Sequence, residues 1–230
     1  MSSTTFDDRR PTRLSSLYQS MAYTNRLFCR TMFGVKPLSW SPVPAKGPVL
    51  LAANHSSYAD PLILSATAGR PITYVVASDL YDNAALRWLF EHLDYIPVTR
   101  GRNTTVAVRA IERALGLSKV VGIFPEGGID ECRKPRGYHG VGYFALKLGV
   151  PVVPAAIVWH ESPRSTLLQS LTTPRKASVR YGHPILVDRD PGVPRKRLQD
   201  TTTLIMEAIH KQAKDAGLLV CGRSHPPCRG

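Results

Sequence analysis

Short apolar runs alternate with helix-period segments over most of this chain, and that alternation restricts its fold more than any other feature. The runs are residues 49–53, 72–76, 94–98, 119–124, 152–159 and 177–186. They are rich in Val, Ile and Ala, bounded by Gly, Pro or Asp, and of strand length. Between them, residues 62–68, 83–92, 103–115 and 141–148 read as helices. The helical segment 195–216 carries Leu198, Ile205, Ala208, Ile209 and Gln212 on one stripe, which predicts docking on a core. Repeated strand–helix alternation predicts an α/β fold, a single domain with a mostly parallel sheet flanked by helices. We divide the chain into a disordered tail (1–13), an amphipathic helix and connector (14–47), the main domain (48–217) and a mobile tail (218–230).

The helix expected over 14–33 spaces Leu14, Leu17, Tyr18, Met21, Phe28 and Met32 helically, with Arg26 and Arg30 on another face. Such a helix either lies in a membrane interface or packs on the domain, and the sequence leaves both open. The chain has a net charge of +13, which favours an anionic partner. The basic residues are spread out, so charge alone does not choose between nucleic acid, acidic protein, phosphorylated substrate and anionic membrane. No helix-turn-helix or RNA-binding aromatic signature is present, and no nucleic-acid partner is expected. Cys29, Cys132, Cys221 and Cys228 have no zinc-ligand spacing, so no metal is expected and free thiols in a reducing compartment are. No apolar stretch is long enough for a transmembrane helix, and the first 13 residues lack a signal-peptide core.

Candidate chemistry gathers at the carboxyl ends of the strands, where open α/β sheets form their crevices. The first stretch is Asn54-His55-Ser56-Ser57-Tyr58-Ala59-Asp60, followed by Pro61. His and Asp five apart are weak evidence by themselves, because His183–Asp188 and His210–Asp215 share the spacing. The second pair is predicted on a strand, where five steps point side chains to opposite faces. The third is on a helix, where five residues rotate a side chain by about 140°. Only at His55 is a turn expected, and a turn can fold the carboxylate back onto the imidazole. The bland reading of Asp60 is a helix N-cap before Pro. Ser56 and Ser57 read as turn hydroxyls, and no Gly-x-Ser-x-Gly marks a serine hydrolase.

Three further stretches follow. Ile96-Pro97-Val98-Thr99-Arg100 places a guanidinium, suited to bidentate phosphate binding, at a strand end. Phe124-Pro125-Glu126-Gly127-Gly128 is a turn that lets backbone approach a ligand, with a Glu able to accept from hydroxyls or position Arg100. Val150-Pro151-Val152-Val153-Pro154 reads as pocket wall and core strand.

In this order, the four stretches resemble the glycerolipid acyltransferase family that includes bacterial 1-acylglycerol-3-phosphate acyltransferase. The family carries Asn-His-x-x-x-x-Asp, an Arg ending an apolar strand, Phe-Pro-Glu-Gly, and a Val-Pro-x-Val-Pro-like block; the similarity spans about residues 48–160. The resemblance implies transfer of a fatty acyl group from acyl-CoA or acyl carrier protein (acyl-ACP) to a lysophospholipid hydroxyl, with no cofactor. His55 and Asp60 are then the catalytic pair. Asn54, Arg100, Glu126, Gly127 and Gly128 are then substrate-binding, Arg100 taking the acceptor phosphate and a group near Asn54 or a backbone N–H serving the oxyanion. It also implies a peripheral place on the cytoplasmic face of an anionic membrane. The chain departs from the family where Thr-Arg-Ser usually follows Phe-Pro-Glu-Gly: it has Gly128-Ile129-Asp130, and later Gly137-Tyr138-His139-Gly140 in place of Phe-Lys-x-Gly. Arg133, Lys134 and Arg136 are candidates to replace the lost charge, and the identity of the acceptor is left open.

Overall fold

The computed structural model describes residues 16–35, 43–99, 104–129, 139–161 and 166–217. Its strands are β1 (Val49–Ala53), β2 (Ile72–Ala77), β3 (Ile96–Val98), β4 (Val120–Ile123), β5 (Val152–Trp159) and β6 (Ala177–Tyr181). Its helices are α1 (Ser16–Phe33), α2 (Asp60–Thr67), α3 (Ala84–His92), α4 (Thr104–Gly116), α5 (Gly140–Leu148), α6 (Leu167–Thr172) and α7 (Arg195–Asp215). The strands form one sheet in the order β3-β2-β4-β1-β5-β6, parallel throughout except for β6, which runs antiparallel to β5. The fold is therefore the single α/β domain with a mostly parallel sheet that the alternation predicts.

Every residue of β1 and β5 is buried, as expected for central strands covered on both faces. The strand period of two separates two apolar layers. Val49, Leu51 and Ala53 of β1 face a layer with Cys29 and Phe33 of α1 and Ile63 and Leu64 of α2. Leu50 and Ala52 face the opposite layer, with Ile111 of α4, Phe144 of α5 and Ile205 and Ile209 of α7. The predicted docking stripe of α7 is thus real in its centre. Local chemistry fixes the helix ends: Asn83 caps α3 by accepting from the Ala85 and Leu86 N–H groups, and Gly149 ends α5 in the left-handed conformation at φ 64°.

Several boundaries differ from expectation. The run 177–186 is not one strand: β6 stops at Tyr181. The Gly182 N–H still donates to the Pro154 carbonyl at 2.8 Å, but Pro184 lacks the N–H a ladder needs; the chain returns for a single bridge between Ile185 and Val152. The third strand begins at Ile96 and not at residue 94, because Asp94 takes a positive φ of 54°. A 3-10 turn (Ser78–Asp82) and α6 were not foreseen. Of the two readings of the first helix, its carboxyl half packs on the domain. Asn25 Nδ2 donates to the Leu62 carbonyl at 2.9 Å, and Cys29 and Phe33 are fully buried. Burial also pushes the Cys29 thiol up to about 12, so it stays neutral and inert. Tyr23 and Leu27 remain exposed on the outer face of the same helix. Among the described residues no helix is long and apolar enough to cross a membrane.

Candidate active site

Because β1, β2, β4 and β5 are parallel, their carboxyl ends share one rim, and the His55 turn and the Phe124–Gly128 turn leave that rim from adjacent strands. The chain after Ala53 bends so that the Asp60 N–H donates to the Ser57 carbonyl at 3.0 Å. The bend carries Asp60 Oδ2 to 3.1 Å from His55 Nδ1. The same oxygen accepts from the backbone N–H groups of Ser56 at 2.7 Å and Ser57 at 2.8 Å. The second oxygen, Oδ1, accepts from the Trp159 indole N–H at 2.9 Å.

These contacts separate the two readings of Asp60. A capping carboxylate would bond forward to N–H groups of its own helix. Asp60 is instead the first residue of α2, its carboxylate bonds backward into the turn, and Pro61 supplies the rigid first helical turn. A fully buried carboxylate is costly to desolvate unless donors surround it. Here three N–H groups from the turn and β5 do so, and His55 is the fourth donor. Nδ1 therefore carries the hydrogen in the neutral ring, which leaves the lone pair on Nε2. Nε2 has no hydrogen-bond partner among the described residues, and the His55 side chain is 16 % exposed.

The imidazole plane is held by Phe124, stacked at 4.1 Å with an interplanar angle of 19°. Phe124 in turn stacks on Tyr74 at 5.9 Å, and Tyr74 is pinned by its hydroxyl donating to the Pro61 carbonyl at 3.0 Å. Gly122 makes this stack possible: a Cβ there would lie 2.5 Å from the Tyr74 ring. The following turn is closed by the Gly127 N–H donating to the Phe124 carbonyl at 3.0 Å, with Gly127 at φ 73°, where glycine is favoured. Glu126 Oε2 accepts from the His55 backbone N–H at 3.0 Å. Burial raises the Glu126 carboxyl above its ordinary range, against the lowering effect of that N–H.

The expected residues thus fall into three groups. His55, Asp60 and Glu126 meet at one point of the rim, with Gly127 and Gly128 in the turn that follows Glu126. Asn54 has a different partner from the substrate expected for it: Oδ1 accepts from the Ile157 N–H at 2.7 Å and Nδ2 donates to the Ile157 carbonyl at 2.9 Å. Its amide mimics one more peptide of the β1–β5 ladder, because β1 itself ends one residue earlier. Arg100, Arg133, Lys134 and Arg136 lie outside the described residues. The sequence by itself assigns no role to Trp159, Tyr74 or Gly122. A tryptophan ending an otherwise aliphatic strand was the one available signal, since a buried indole N–H requires a partner.

The site is thus an imidazole backed by a buried carboxylate at the rim of a mostly parallel α/β sheet. Residues 39–158 match the family model described as Acyltransferase, which is more than half of the chain, and the protein belongs to the acyltransferase family. Its fold is similar to that of the 1-acyl-sn-glycerophosphate (LPA) acyltransferase PlsC from Thermotoga maritima. The TM-score is 0.66 at 18% identity, over 90% of this chain and 81% of that one. The family bears out the resemblance drawn from the ordered motifs, and the protein is an acyltransferase.

Proposed function

We propose that the protein moves a fatty acyl group from acyl-CoA or acyl carrier protein to the free hydroxyl of a lysophospholipid, forming phosphatidate from 1-acylglycerol-3-phosphate. One observation carries the reading: His55 Nδ1 is bonded to a buried, donor-saturated carboxylate, while Nε2 has no such partner among the described residues. An alcohol is a poor nucleophile at neutral pH. Nε2 accepts the hydroxyl proton as the oxygen attacks the thioester carbonyl, and Asp60 stabilises the imidazolium that forms. The tetrahedral intermediate then expels the thiolate, and the imidazolium returns its proton to that sulfur. Proton and acyl group are both accounted for, and no acyl-enzyme is needed. In this reading Arg100 binds the acceptor phosphate, and the Glu126–Gly128 turn shapes the acceptor site.

A membrane location at the cytoplasmic face fits the outer face of α1, where Tyr23 is 70 % and Leu27 51 % exposed, with Arg26 and Arg30 beside them on the helix. Acceptor, donor and many bilayers are anionic, and the net charge of +13 suits all of them. A second reading keeps the chemistry and changes the acceptor to another lysophospholipid, an aminolipid or a specialised metabolite. It is favoured by Gly128-Ile129-Asp130, which supplies neither the hydroxyl nor the guanidinium of Thr-Arg-Ser. A panel of lysolipids with one labelled acyl donor, read by mass spectrometry, separates the two. His55→Ala is expected to abolish every product; undiminished turnover would end the proposal.

A further inference from the structure

Trp159 is the last residue of β5, and its indole Nε1 donates to Asp60 Oδ1 across 99 residues of sequence, at 2.9 Å. The ring is gripped from two sides. Phe33 of α1 meets it edge-on at 5.2 Å, and the Arg175 guanidinium lies 4.3 Å from its centroid. Arg175 sits just before β6, and its backbone N–H donates to the Met32 carbonyl of α1 at 2.9 Å. Strand β5, helix α1 and the segment before β6 thus converge behind the carboxylate.

We propose that Trp159 is a positioning residue for the proton-transfer pair, holding the plane of the Asp60 carboxylate so that Oδ2 stays on His55 Nδ1. The inference rests on the reading in which His55 is the base. The torsion about a carboxylate's Cβ–Cγ bond is broad and soft. His55 and the Ser56 and Ser57 N–H groups all bind Oδ2, so on their own they pin one oxygen and leave the plane free to rock. The indole bond to Oδ1 supplies the second anchor. Filling the space would not require it, since an aromatic hydrocarbon would pack against Phe33 equally well. Among the described residues, the charged and titratable groups around the His55–Asp60 pair are Glu126 from the loop after β4 and Arg175 over the indole. Loss of the indole donor leaves more of the Asp60 charge directed at the imidazole, which holds a proton more tightly.

The test replaces Trp159 by its isostere 3-benzothienylalanine, which puts sulfur in place of the N–H, and separately makes Trp159→Phe. Each full-length protein is assayed with an acyl-CoA and the best acceptor from the lysolipid panel, alongside His55→Ala. The expected result is a fall in kcat of roughly ten- to a hundredfold, the range of one charge-assisted hydrogen bond. KM changes little, and the acid limb of the kcat/KM profile moves to higher pH. A benzothienylalanine protein with the kcat and acid limb of the natural one would overturn the inference. So would a loss of kcat with an unmoved acid limb and a matching loss of folded protein, which is a purely structural role. Turnover by His55→Ala would instead overturn the reading of His55 as base, a distinguishable failure.

Discussion

Asp60→Asn is the sharpest single perturbation, because the four donors around the carboxylate dictate how the amide must sit. Asparagine has one acceptor oxygen and one NH2 group. Placing the oxygen at Oδ2 keeps the bonds from Ser56, Ser57 and His55, and turns the NH2 group towards the Trp159 N–H. The opposite flip faces three donors with NH2, so the first orientation wins. The tautomer with hydrogen on Nδ1 is then retained, and the loss is electrostatic. At 3.1 Å the carboxylate–imidazolium attraction, taken at an effective dielectric constant of ~20, is about 5 kcal/mol. Losing it lowers kcat by about four powers of ten. The broken indole bond costs about 1 to 3 kcal/mol of stability, partly offset because a buried charge is removed as well. Thermal unfolding and steady-state acyl transfer on the same preparation check both numbers. A folded Asp60→Asn protein working within tenfold of the natural one would refute the role given to the carboxylate. Asp60→Ala is uninformative by comparison, since it strands all four donors.

Three further outcomes follow from the same geometry. Gly122→Ala drives a Cβ to 2.5 Å from the Tyr74 ring; it should cost about 1–3 kcal/mol, lower Tm by roughly 2–10 °C in a melting scan, and reduce kcat through the Tyr74–Phe124–His55 stack. Glu126→Gln keeps an acceptor for the His55 N–H and removes a buried charge. Burial raises this carboxyl's folded value above its ordinary 4.5, so its stabilising contribution is complete below that pH and is lost as pH climbs through the folded value. Melting temperatures of the Gln protein should therefore decline less from acid towards neutral pH than those of the natural protein, and identical slopes would contradict the assignment. Leu27→Glu with Tyr23→Glu alters only exposed positions of α1, so Tm should hold while sedimentation with anionic liposomes drops; undiminished binding would move the membrane contact elsewhere.

The layers of this fold were readable in the chain because strand and helix periods are local, and a five-residue run such as Val49–Ala53 has few other ways to bury itself. Features that depend on distant partners were not. The return of the chain to a bridge at Ile185 depends on Val152, and the use of Asn54 depends on a peptide 103 residues away. Trp159 reads as the end of a core strand, and its bond to Asp60 spans 99 residues. The three His–Asp pairs show where the line falls. Their spacing is identical, yet no hydrogen bond joins His183 to Asp188, past the end of β6, or His210 to Asp215, along α7, among the described residues, whereas His55 and Asp60 meet. Sequence distance sets only how far apart two side chains can be. Backbone direction decides whether they face each other, and at His55 the turn residues Asn54 to Asp60 with Pro61 directly after announce a bend, which the Asp60 N–H bond to Ser57 closes in the structure.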